Sequence, residues 1–120
     1  MPRAVIDTNC LLASVGPRSP GAALYDLFAA EAFEWVISNE ILTEYDEVLT
    51  RRYSAHTAFA VLNLLTFAPN AYRQEASYKW QLLPADPDDN KFVDVALAAN
   101  ADFLVSNDRH FQPLLQVPFP

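Results

Sequence analysis

Ala4-Val5-Ile6-Asp7-Thr8-Asn9 is an apolar run that stops at a carboxylate followed by two small hydrogen-bonding residues. Apolar runs without polar alternation fit strands covered on both faces, as in a parallel sheet flanked by helices. Ligands of such sheets sit beyond the carboxyl ends of the strands, so Asp7 is expected at the functional rim. Ordinary turn and cap chemistry writes the same Asp-Thr-Asn signature, and the stretch alone does not separate the two readings. A second strand late in the chain repeats the design: Phe103-Leu104-Val105-Ser106 runs into Asn107 and Asp108. Parallel strands that each end in a carboxylate place both acids on one rim.

The intervening chain supplies the crossovers. Ser19-Pro20 reads as an N-cap with proline at the first helical position, and Leu24, Leu27 and Phe28 recur at helical spacing through about Ala32. Phe33 to Ile37 favours a second strand, and Ser38 or Asn39 can cap the next helix. That helix, from roughly Glu40 to Arg52, carries Ile41, Leu42, Tyr45, Val48 and Leu49 on one stripe, with Glu40, Thr43 and Glu47 facing away. Ser54 caps a further helix through about Leu65, with Phe59, Leu62 and Leu65 inward and His56 exposed in the first turn. Ala71 to Arg73 reads as a short strand or a loop, and Tyr78, Trp80, Leu82 and Leu83 as cover for a core edge. Pro84-Ala85-Asp86-Pro87-Asp88-Asp89 is a turn opening a helix over about Asn90 to Asn100, on which Asp94 is expected to face solvent. His110 and Phe111 follow in a short helical turn, and Val117 opens a last edge strand.

A chain of 120 residues fits a single domain, 1–120, with one core. Its 52% hydrophobic and 19% charged residues exclude disorder, and no apolar run is long enough to cross a bilayer. Asp7 interrupts the first apolar stretch too early for a secretory signal, and the single Cys10 allows no internal disulfide, so the expected compartment is the cytoplasm. Eight basic against fifteen acidic residues give a formal charge of −7, opposite to the footprint of a simple nucleic-acid binder. Converging carboxylates repel unless cations lie between them, so an acidic pocket without basic neighbours points to metal, and acids dispersed over the surface are the competing reading. With glycine only at 16 and 21, neither a P-loop nor a dinucleotide fingerprint can be written.

The candidate acids are Asp7, then Glu44 or Asp46 at the edges of the buried stripe, then Asp89 with Asp88 and Asp86 as neighbours, then Asp108. Periodicity does not choose between Glu44 and Asp46, and capping with dipole compensation also accounts for Asp88 and Asp89. Hard oxygen donors without histidine or thiolate clusters suit Mg²⁺ or Mn²⁺, which orient water and stabilise charge on a phosphoryl group.

In order, four segments resemble a PIN domain: Ala4 to Asn9, Ile41-Leu42-Thr43-Glu44-Tyr45, Asp86-Pro87-Asp88-Asp89-Asn90-Lys91-Phe92 with Ala96-Leu97-Ala98, and Ala101 to Asp108. The similarity covers nearly the whole chain and is strongest to PIN proteins serving as toxins of prokaryotic toxin-antitoxin pairs. It implies a three-layer α/β/α fold with a central, mostly parallel sheet, and Mg²⁺- or Mn²⁺-dependent cleavage of RNA. Asp7, Glu44, Asp89 and Asp108 become the acidic quartet, which selects Glu44 over Asp46, with Asn9 and Ser106 in support; many relatives have threonine where Ser106 stands. A cognate antitoxin with a basic inhibitory segment and a homodimer are also implied. The competing expectations are a PIN-like binding module that does not cleave, and a stand-alone PIN nuclease without antitoxin. A phosphorylated receiver would need adjacent acids after strand one and a lysine ending a late strand. A haloacid-dehalogenase phosphatase would need an aspartate where Asn9 sits.

Overall fold

The computed structural model describes residues 1–15, 22–76 and 90–105. The Ser19-Pro20 cap, the apolar group from Tyr78 to Leu83, the Asp86 to Asp89 turn, Ser106, Asp108, the turn at His110 and the strand at Val117 lie outside them.

Four strands form the sheet: β1 (Arg3–Ile6), β2 (Glu34–Ile37), β3 (Ala71–Arg73) and β4 (Phe103–Val105), in the order β3-β2-β1-β4. Every described pairing is parallel, with Ala4 opposite Trp35, Ile6 opposite Val105, and Val36 opposite Tyr72. The helices are α1 (Thr8–Ser14), α2 (Ala22–Ala29), α3 (Asn39–Arg52), α4 (Ala55–Phe67) and α5 (Asn90–Ala98). Val5, Ile6, Trp35, Val36 and Ile37 are all buried, so successive residues on both faces of the central strands are covered, as their unbroken apolar sequences require. Helix α5 lies against β1, β2 and β4, while α3 packs mainly on α4.

Two helices return the chain to the sheet through the same device. Glu31 after α2 and Asn100 after α5 have φ of 58° and 52°, and the following amides, Ala32 and Ala101, donate to Leu27 and Ala96 carbonyls at 2.9 Å. These left-handed residues close the helix ends and turn the chain into β2 and β4. Asparagine tolerates that conformation well, whereas Glu31 holds it against the Cβ penalty.

At the opposite end of the sheet from Asp7, Arg3 ties the elements together. Its Nε lies 3.4 Å from Glu34, its Nη1 donates to the Ala99 carbonyl at 3.0 Å, and its guanidinium sits 3.9 Å above the Tyr72 ring. Its backbone N–H donates to Asp102 at 2.8 Å, so Asp102 caps the start of β1.

Three features depart from the sequence reading. Thr8 to Ser14 is a helix, which the Asp-Thr-Asn turn signature does not by itself predict. Phe59 is 69% exposed instead of inward, because α4 is apolar nearly all round and buries the narrower stripe of Ala58 and Leu65. Asp94 is 5% exposed, not a solvent residue: from Phe92 to Ala96 every residue of α5 is buried, so that stretch of the helix has no solvent face.

Candidate active site

The carboxyl ends of β1 and β2 each pass directly into a helix through a side-chain cap. Asp7 takes extended backbone, and its Oδ1 accepts the Cys10 N–H at 2.8 Å, which closes the first turn of α1. Ser38 caps α3 in the same way, its Oγ accepting the Ile41 N–H at 3.1 Å. The cap reading of Asp7 is therefore correct as local chemistry. It also fixes a carboxylate only 3% exposed at the rim, where a solvated turn residue would be open.

Glu44 comes to this rim from α3. Its side chain is 19% exposed, and both carboxylate oxygens are held: Oε2 accepts the Thr8 hydroxyl, and Oε1 lies 2.8 Å from Lys91 Nζ on α5. Thr8 directly follows Asp7, so one short segment carries the first acid and grips the second. Asp46, the alternative on the same helix, is exposed and accepts a hydrogen bond only from Thr50 among the described residues, at 3.4 Å. Asn9 is exposed at the start of α1.

Tyr45, beside Glu44 and fully buried, locks α3 to the strand that delivers Asp7. Its hydroxyl donates to the Ile6 carbonyl at 2.5 Å and accepts from Trp35 Nε1 at 3.4 Å, while its ring lies 6.4 Å from Phe92. Burial pushes the phenol far above its ordinary range. The Trp35 hydrogen bond opposes that, and the nearby charges of Asp7, Glu44 and Cys10 add to it. The hydroxyl therefore stays protonated and acts as a fixed strut. Thr8, Tyr45 and Lys91 lie inside the motif segments quoted above, but nothing in their spacing identifies them as partners of Glu44 or Ile6.

A polar groove of about 290 Å³ opens beside Glu44, lined by Asn39, Glu40, Thr43, Glu44, Glu47 and Lys91. A larger cavity of about 530 Å³ is mainly apolar, lined among others by Leu11, Val15, Trp35, Val61 and Leu65; neither Asp7 nor Glu44 borders it. Of the two, the polar groove is the one bordered by Glu44, and a charged ligand in the apolar cavity would lose its hydration without compensating partners. The described donors, Asp7 and Glu44, are hard carboxylates of the kind that hold Mg²⁺ or Mn²⁺. Among the described residues no three acidic, histidine or cysteine side chains are placed so that they could hold a metal ion together; Asp89 and Asp108 lie outside the described residues.

A parallel α/β sheet with an acid ending its first strand and a second acid brought alongside from a helix defines a class of fold and site. The sequence matches the family described as PIN domain over residues 3–110, so the chain belongs to the PIN domain family. None of the curated protein sequences compared with the chain matches it. Among solved structures, the fold is similar to that of VapC20 from Mycobacterium tuberculosis, described as a toxin that cleaves the sarcin-ricin loop. The TM-score is 0.70 and the identity 16%, over 92% of this chain and 94% of that one.

Proposed function

We propose that the chain, as a single domain, is a metal-dependent endoribonuclease and the toxin of a toxin-antitoxin pair. The observation that carries this reading is the Thr8 bridge, which joins Glu44 of α3 to the segment delivering Asp7 at the carboxyl rim of a parallel sheet. Asp7 and Glu44, with Asp89 and Asp108, would hold Mg²⁺ or Mn²⁺, and Asn9 and Ser106 would support them. Bound there, the ion supplies an activated water and offsets charge developing on the phosphate. The chain's own part is to hold the carboxylates in place before substrate arrives: the Cys10 amide fixes Asp7, and Thr8 fixes Glu44. The likeness to a sarcin-ricin loop cleaving toxin supports RNA as substrate.

A cognate antitoxin and a homodimer belong to the same proposal. Tyr25, Leu27, Phe59, Leu64 and Phe67 on α2 and α4 are exposed, which supports a protein partner on that side. A basic inhibitory segment suits the acidic site, where an arginine fork matches carboxylates. No described helix is long and apolar enough to cross a membrane, and the cytoplasm is the proposed location. The test is cleavage of end-labelled RNA with Mg²⁺ or Mn²⁺ and with chelator, followed by co-expression with the product of the adjacent reading frame. Inhibition by that neighbour supports the toxin assignment. A monomer indifferent to it overturns the assignment and leaves a stand-alone nuclease.

A further inference from the structure

The groove beside Glu44 poses an electrostatic problem for a nuclease. Three carboxylates, Glu40, Glu44 and Glu47, line it, and RNA arrives as a polyanion. The described arginines are engaged or placed elsewhere. Arg3 is bound at the other end of the sheet to Glu34 and the Ala99 carbonyl, and Arg51 and Arg52 occupy the last turn of α3, about two turns beyond Glu44. Arg73 is held by Asn39 at 2.6 Å and by Glu75 at 3.4 Å. Among the described residues, Lys91 is the cation that lines this groove.

We propose that Lys91 is a phosphate-binding residue of this site, holding a backbone phosphate of the RNA at the carboxylates. This inference rests on the ribonuclease reading above. Lys91 stands in the first turn of α5, and its side chain is 22% exposed, so its ammonium sits at the wall of the groove and not in bulk water. An ammonium carries three donors on a flexible stem, and one bond runs to Glu44 Oε1. A phosphate oxygen entering the groove can share that cation, which places the substrate's charge next to Glu44 while offsetting the repulsion from it.

The opposing possibility is that Lys91 serves only as the counterion of Glu44, and salt dependence separates the two roles. Binding of fluorescently labelled single-stranded RNA is measured by anisotropy across a KCl series, on an Asp7→Asn background that prevents cleavage. Removing one phosphate contact with Lys91→Gln is expected to reduce the slope of log K against log salt by about 0.7, and Lys91→Arg is expected to restore it. Single-turnover cleavage by Lys91→Gln with Asp7 intact is expected to fall on the order of 10²-fold. Should Lys91→Gln fail to fold, the double variant Lys91→Gln/Glu44→Gln, which removes both members of the ion pair, carries the same slope test. An unchanged slope, with wild type cleaving RNA normally, overturns the inference alone and makes Lys91 a counterion. A wild type that neither binds nor cleaves RNA overturns the ribonuclease reading and this inference with it.

Discussion

The Tyr45 hydroxyl donates to the Ile6 carbonyl at 2.5 Å, so the residue next to Glu44 is bonded to the residue next to Asp7. A buried strut thereby joins the two acid-bearing elements. Tyr45→Phe keeps the ring and leaves Ile6 and Trp35 with one fewer partner each. The expected loss is about 1–2 kcal/mol, read as a lower urea midpoint with unchanged m-value.

The same strut makes a pH prediction. The folded-state pKa of Tyr45 is raised above its ordinary value of 10.0, chiefly by burial. A raised pKa contributes stability that is fully present below the unfolded value. That stability is lost as pH climbs, because above about pH 10 the unfolded chain releases a proton that the folded chain keeps. The stability difference between wild type and Tyr45→Phe should therefore narrow above about pH 10 and stay constant from pH 7 to 9, as followed by denaturation at each pH.

Thr8→Val removes the hydroxyl that holds Glu44 Oε2 without changing the side-chain outline. Groups that orient metal-binding carboxylates typically contribute 10–100-fold to affinity. Mn²⁺ binding measured by calorimetry is expected to weaken by roughly tenfold in Thr8→Val and to recover in Thr8→Ser. Equal affinity in all three proteins would show that Glu44 needs no anchor.

Asp94 and Asp46 provide a matched comparison on two helices. Asp94→Lys forces a long cation into the buried surface of α5 and is expected to cost more than about 3 kcal/mol. Asp46→Lys changes an exposed position and is expected to stay within about 0.5 kcal/mol. Thermal and urea unfolding of the two variants check the contrast, and similar costs would contradict the burial of Asp94.

These contrasts mark where the sequence was readable. Unbroken apolar runs at Val5-Ile6 and Trp35-Val36-Ile37 announced strands covered on both faces, and the parallel pairing of β1 with β2 and β4 follows. The α3 stripe of Ile41, Tyr45 and Leu49 was legible for the same reason: it has a polar face to contrast with. Helix α4 lacks that contrast, so its periodicity does not show that Phe59 faces outward. The Asp94 carboxylate suggests a solvent face, but α5 has none from Phe92 to Ala96. At the site, periodicity left Glu44 and Asp46 open and only the resemblance to PIN domains chose Glu44, while the grip of Thr8 and Lys91 on Glu44 depends on how α1, α3 and α5 meet, which no local pattern encodes.

The central claim is that Asp7 and Glu44 act together on RNA through a divalent ion, and single-turnover cleavage of end-labelled RNA tests it most directly. Wild type, Asp7→Asn and Glu44→Gln are compared in Mn²⁺ and in excess chelator, with circular dichroism confirming that each variant is folded. Cleavage by wild type in Mn²⁺ alone, with each substitution lowering the rate by at least about 10²-fold, is the predicted result. Cleavage that persists in chelator, or that survives in folded Asp7→Asn protein at the wild-type rate, would contradict it.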